Sequence, residues 1–321
     1  MSSISSLLRL IFVLSLSMVL IGCTSKQNKV VIVLTEGPAA VSLIHMMQSV
    51  NEIDGRTIEY VIRQEPLQIQ ALMMQNKADF AILPTVMAVN LYNKGIEYQL
   101  MGVPVWGTLY LLGNVDCNDL SCLENEVVYV FGRGTTADIL TRYFLESKGL
   151  SHVQINYQYA SNQELALALL HGRIKFAVIS EPLVSQILVT NTRIGIISPV
   201  EYHANLNGAE INVFAQTAFL VSKRFGLRYP EITNQIEEWY RSSCYLSMSE
   251  PDSTARLLLK HELFTAQKMD IAAILRCRIN YRKADEMREI LPIYLQLYKR
   301  FDPESIGGRL PDDNFFYVRK L

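Results

Sequence analysis

The chain has 321 residues, half of them hydrophobic, with 30 Lys+Arg against 31 Asp+Glu. Near-neutral charge removes the electrostatic basis for nucleic-acid binding, which needs a basic face. The apolar share excludes a disordered chain, and the length suffices for one large or two modest cores.

The first predicted element is an apolar run from Leu10 to Ile21, preceded by a segment whose only charged side chain is Arg9. Twelve helical residues fall well short of a bilayer core of about 30 Å, so the run reads as a signal-peptide core rather than a span. Cys23 directly after Leu20-Ile21-Gly22 resembles the bacterial lipobox, in which the thiol is acylated and the chain is cut just before it. The alternative is an ordinary signal peptide that happens to contain a cysteine. On the first reading residues 1–22 are a signal peptide, 23–28 a lipidated tether, and the remainder works outside the cytoplasmic membrane. Loss of the first 22 residues leaves 299, and loss of Arg9 leaves 29 basic against 31 acidic side chains, a formal charge of −2.

Val30 to Leu34 is a β-branched run of the kind buried in parallel sheets. It ends in Thr35-Glu36-Gly37-Pro38, and helical spacing follows from Ala39 to Val50. Thr57 to Gln64 alternates as a strand, Pro66 to Gln75 is predicted helical with proline in its first turn, and Phe80-Ala81-Ile82-Leu83 is a second buried strand. Pro84-Thr85 then opens a helix that Gly95 stops. This alternation predicts an α/β fold with mostly parallel sheets. The pattern recurs at an offset of 96 residues: Val127–Val130 matches Val31–Leu34, and Phe176–Ile179 matches Phe80–Leu83. Two lobes of related architecture, or two unrelated strand–helix–strand units, both fit that recurrence. Tyr98–Val105 and Thr108–Leu112 flank Trp106-Gly107 as strands leading out of the first unit, and Val213–Val221 is a strand that could lead back. After Pro230 the chain reads as nearly all helix. The predicted division is 29–107 with 213–321 as lobe 1 and 108–212 as lobe 2, with a ligand cleft between them.

Cys117 and Cys122 are a candidate disulfide, and Cys244 and Cys277 a second candidate pair. Zinc is the weaker reading for these cysteines, because no second close Cys or His pair accompanies them. The five histidines have no metal-ligand spacing, so neither a metal nor a cofactor is expected.

Three stretches in order carry a family resemblance: Ala78-Asp79-Phe80-Ala81-Ile82-Leu83-Pro84-Thr85, Gly132-Arg133-Gly134-Thr135-Thr136-Ala137-Asp138, and Phe176-Ala177-Val178-Ile179-Ser180-Glu181-Pro182. With Gln216–Lys223 and Ile306–Asp313 they resemble the extracytoplasmic solute-binding proteins of ABC transporters, in the nitrate/sulfonate/taurine and thiamine-precursor group. The resemblance covers essentially the whole mature chain. It implies the two-lobed periplasmic-binding-protein type II fold, a monomer, a small-molecule ligand, and ABC permease and ATPase partners. The cysteine-rich motif of related thiamine-pyrimidine synthases is not visible, so that activity is not implied. An enzyme on the same fold, such as a menaquinone-pathway-like protein, and a sensory or scavenging receptor are the alternatives.

Strand C-termini of open α/β sheets are where ligands bind, so the turns there hold the candidate residues. Gly132-Arg133-Gly134-Thr135-Thr136 offers close backbone approach, a helix start, hydroxyls and a bidentate cation, a set suited to an oxyanion. Its structural alternative is a capped turn with a solvated arginine. Glu36, Gly37 and Pro38 form the equivalent turn of lobe 1, where Glu36 could accept hydrogen bonds from a ligand or simply face solvent. Pro84 and Thr85 offer a second helix start, and Glu181 is either a ligand contact or a favourable charge at a helix start. Trp106 and Tyr110 would stack on a planar ligand or pack the hinge. Arg133, the helix starts and Trp106 together favour an organic anion.

Overall fold

The computed structural model describes residues 29–117, 119–263 and 271–319. The predicted leader and the Cys23 tether lie outside them. Among the described residues no helix is long and apolar enough to cross a membrane.

The chain opens with β1 (Lys29–Thr35), α1 (Pro38–Ser49), the short β2 (Glu52–Ile53), β3 (Arg56–Arg63), α2 (Pro66–Met74), β4 (Phe80–Pro84) and α3 (Thr85–Asn93). Two long buried strands, β5 (Tyr98–Trp106) and β6 (Leu109–Asn114), lead to a second series. It comprises β7 (Val127–Val130), α4 (Thr136–Ser147), β8 (Gln154–Asn156), α5 (Asn162–Leu170), β9 (Phe176–Ser180), α6 (Leu183–Thr190) and β10 (Ile194–Pro199). A ribbon of β11 (His203–Leu206) and β12 (Ala209–Asn212) precedes β13 (Ala215–Ser222). The remainder is α7 (Lys223–Arg228), α8 (Pro230–Ser249), α9 (Pro251–Lys260), α10 (Ile271–Arg276), β14 (Ile279–Lys283) and α11 (Ala284–Phe301).

A seven-stranded sheet runs β14-β5-β13-β4-β1-β3-β2, and a five-stranded sheet runs β10-β6-β9-β7-β8. In each, three strands are parallel: β4-β1-β3 in the larger sheet and β9-β7-β8 in the smaller. The same strand order occurs twice, with β4 and β9 holding the equivalent Phe80–Pro84 and Phe176–Ser180. The flanking strands are antiparallel, so each sheet is mixed rather than mostly parallel. Of the strands that carry the chain between the sheets, β13 runs against β4 and β6 against β9, whereas β5 runs against β13 and so in the direction of β4.

Period-two alternation distributes the apolar residues over two faces. Val30, Ile32 and Leu34 of β1 pack with Phe80 and Ile82 of β4, Phe219 of β13 and Tyr240 of α8. Val33, Ala81 and Leu83 face the other way, into a core that continues through Val128, Val130 and Val178 of the smaller sheet to Leu291, Tyr294 and Tyr298 of α11. The outer face of the smaller sheet, with Tyr110, Leu112, Ala177 and Ile179, is covered by Leu165 and Leu169 of α5 and Val184 and Ile187 of α6.

The region after Pro230 departs from its helical expectation at β14, which pairs antiparallel with β5. Only Ile279 of this strand is fully buried, and the other four side chains are exposed or half-buried. Its strand character comes from its partner rather than from its own pattern. Cys117 and Cys122 are joined by a disulfide, with Cα atoms 5.9 Å apart. Cys244 and Cys277 are free buried thiols, correcting the expected second pair. The Cys277 thiol donates to the Ala273 carbonyl at 3.4 Å, and Cys244 lies beside the Tyr240 hydroxyl. Burial pushes both thiols far above their ordinary range, which leaves them protonated and inert.

Candidate functional site

Four strand-to-helix turns lie at the C-terminal ends of β1, β4, β7 and β9. The first turn is set by Gly37, whose φ of 107° and ψ of −151° suit glycine and whose carbonyl accepts from the N–H groups of Ala40 and Val41. Pro38 is the first residue of α1 and needs no N–H there. Glu36 is half-buried and donates its backbone N–H to the Arg63 carbonyl at 2.8 Å.

At the second turn Pro84 ends β4 opposite Thr217, and Thr85 begins α3. Thr85 is completely buried, and its Oγ1 has no hydrogen-bond partner among the described residues. An unpaired buried hydroxyl costs about 1–3 kcal/mol.

The third turn is occupied by its own side chains. Thr135 caps α4, accepting from the Asp138 N–H, while its hydroxyl lies 2.7 Å from the Gly132 carbonyl. The fully buried Asp138 carboxylate accepts from the Gly134 N–H, from two nitrogens of Arg142 and from the Tyr157 hydroxyl, at 2.6 to 2.8 Å. Arg133 is exposed, with its guanidinium 4.5 Å from the Tyr157 ring centroid. Gly134 adopts φ +77°, and a Cβ there would collide with the Asp302 carboxylate at the end of α11. Thr136 hydrogen-bonds to Tyr294 and Tyr298, whose hydroxyls lie 2.7 Å apart. The α4 start is thus covered by α11, and the arginine fork proposed for an oxyanion is stacked on an aromatic ring.

At the fourth turn the Glu181 carboxylate is buried and accepts from the Ser185 N–H at 3.1 Å and from the Ser185 hydroxyl. Arg276, from the end of α10, also donates to it. Burial pushes the Glu181 carboxyl above its ordinary value, and Arg276 and the Ser185 donors pull it back. Trp106 and Tyr110 are packed where the chain crosses between the sheets. The Trp106 indole N–H donates to the Asn280 carbonyl at 2.6 Å, and the Arg282 guanidinium lies 4.6 Å from its ring. The Tyr110 hydroxyl donates to the Arg276 carbonyl at 3.2 Å. Between them Gly107 takes φ +65°, and a Cβ there would meet the Phe214 ring at 2.8 Å. Gln216 of β13 receives the Thr108 N–H at 2.7 Å, which ties both crossings together.

Asp138, Tyr157, Arg276, Tyr294, Tyr298 and Asp302 were not anticipated as neighbours of these turns. The Asp138–Arg142 spacing on one helix was the single local signal; the others come from distant parts of the chain. A separate groove of about 480 Å³ is lined by α8 and β14, including Arg241, Tyr245, Met248 and Tyr281, and touches none of the four turns. No group of three or more His, Cys, Asp or Glu among the described residues could hold a metal.

No protein-family model matches the sequence, and no curated protein matches it. Solved structures do match. An ABC transporter structure from Parabacteroides distasonis is 30% identical, with 92% of this chain and 100% of that chain covered and a TM-score of 0.81. The periplasmic aliphatic sulphonate binding protein of Escherichia coli is 15% identical over 89% of this chain and 98% of its own, with a TM-score of 0.68. The ligand-binding component of an ABC-type import system from Staphylococcus aureus is 13% identical over 91% and 97%, with a TM-score of 0.66. The last two share the fold.

Proposed function

This chain belongs to the periplasmic solute-binding proteins of ABC transporters, and we propose that it captures a small organic anion between two lobes and presents it to an importer. Its solute-binding role carries no catalytic step. The supporting observation is the match to the Parabacteroides distasonis transporter structure along that chain's whole length. In this reading residues 29–107 with 213–321 form one lobe, residues 108–212 the other, and the segments around Gly107 and Phe214 are the hinge.

The solute seat we assign is the pair of helix starts in lobe 1, at Gly37-Pro38 and Pro84-Thr85. The positive end of each helix favours an anion, and the unpartnered Thr85 hydroxyl supplies a donor. Arg133, Arg142 and Arg276 already face Tyr157, Asp138 and Glu181. Neutral donors would therefore hold the anion's head, rather than an arginine fork. Contacts from both lobes would favour the closed state. Cys23 would tether a monomeric receptor to the outer face of the membrane beside the permease and its ATPase.

Calorimetry against alkanesulfonates, carboxylates and heterocyclic metabolites tests the reading. One class should bind saturably at one site per chain. Turnover of a candidate substrate, with no solute bound at equilibrium, would replace the receptor by an enzyme.

A further inference from the structure

The turn joining α10 to β14 carries two arginines, Arg276 and Arg278, and both reach across to the smaller-sheet half of the molecule. Arg276 donates to the buried Glu181 carboxylate, and its Nη2 lies 2.7 Å from the Ser185 hydroxyl. Arg278 pairs with Glu201, and its guanidinium lies 5.8 Å from the Tyr110 ring centroid. The Tyr110 hydroxyl meanwhile holds the Arg276 carbonyl. Arg278 itself adopts φ +47°, a left-handed conformation that side-chain-bearing residues avoid unless surrounding contacts fix it.

We propose that Arg276 and Arg278 form a clasp that holds the two lobes together in the solute-free protein, so that solute meets a receptor already biased toward closure. This inference rests on the two-lobe reading above, and it gives Glu181 a part in closure instead of a solute contact. The physical basis is the balance of a buried ion pair. Attraction between Glu181 and Arg276 is largely offset by the water each loses, so the intact pair favours closure by a modest margin and still releases. Removing Arg276 is different, because the Glu181 carboxylate, whose side chain has no exposed surface, is then buried without its cation and opening rehydrates it. Glu181 has Ser185 as its remaining donor in that case. The clasp is therefore reversible when whole and biased toward opening when broken.

Fluorophores attached through non-natural amino acids at exposed Leu67 and Leu167, one in each proposed lobe, report the separation without added solute. Wild-type protein should show a predominant short-distance population with a minor longer-distance one. Arg276→Gln, and more strongly Arg276→Gln with Arg278→Gln, should raise the longer-distance population about tenfold or more. Glu181→Gln with Arg276 retained leaves no buried lone charge and should open the molecule less than Arg276→Gln does, while Arg276→Lys keeps the charge and should retain most of the short-distance state. Circular dichroism establishes that each variant is folded. Unchanged distances in folded Arg276→Gln and double variants would overturn the clasp. The comparison uses no solute, so it decides the clasp even if the metabolite panel yields no binder and the receptor reading falls. Conversely, a wild-type chain that binds solute while its clasp variants stay short loses only the clasp.

Discussion

Replacing Thr85 by valine separates stability from binding at the proposed seat. Thr85 has no exposed surface, and its Oγ1 has no hydrogen-bond partner among the described residues. Valine has the same branched shape and the same χ1 restriction, so the change removes one hydroxyl and leaves packing intact. The hydroxyl caps nothing, because the α3 start has no side-chain cap. A buried unpaired hydroxyl costs about 1–3 kcal/mol in proteins, so Thr85→Val should stabilise the solute-free chain by about 1–2 kcal/mol. At about 2 °C per kcal/mol for a chain of this size, Tm should rise by about 2–4 °C in differential scanning calorimetry. Solute affinity should fall about 10- to 100-fold, the worth of one hydrogen bond to a charged group. A Tm lowered by more than about 2 °C would mean the hydroxyl is already satisfied within the fold. The seat would then lose its most specific residue.

Glu237 is buried, with the Tyr281 hydroxyl donating to it at 3.0 Å, and burial pushes its carboxyl above the ordinary value. A raised folded-state value means ionisation destabilises the fold above it and matters little below the unfolded value of 4.5. Glu237→Gln should therefore raise Tm at pH 8, with the advantage shrinking as pH falls toward 4.5; an advantage independent of pH would contradict this. Gly134→Ala places a Cβ at φ +77° against Asp302, so the urea midpoint should fall by the equivalent of about 1–3 kcal/mol. An unchanged midpoint would mean that α11 does not cover the α4 start. Cys23→Ser should shift the chain from membrane to soluble fractions with unchanged solute affinity, whereas loss of affinity would give the N-terminus a role beyond anchoring.

Much of the fold was readable because β1 and β4 are buried on both faces and so appear as continuous apolar runs. Phe80 and Phe176 marked the repeated unit for the same reason: each opens the central parallel strand that follows a helix. β14 was hidden, since Ile279-Asn280-Tyr281-Arg282-Lys283 has little period-two contrast and becomes a strand only beside β5. The turns were legible as turns, and a capped turn was one of the readings of the third. What fills them was not. Glu181 and Arg276 are 95 residues apart, and nothing local in either sequence announces the other. Arg133 shows the same limit, because its neighbour Tyr157 comes from beyond α4. Residue type and position at a strand end were readable; direction and partner depend on tertiary packing.

Solute binding at the lobe 1 helix starts would couple ligand affinity to the Thr85 hydroxyl. The most direct measurement is the thermal stability of wild-type and Thr85→Val protein across a solute panel. A solute at 100 times its Kd should stabilise wild type by about 2.7 kcal/mol, and at the same concentration should stabilise Thr85→Val distinctly less. Equal stabilisation of both proteins would contradict the assigned seat, and a panel that stabilises neither while one member is chemically converted would contradict the receptor.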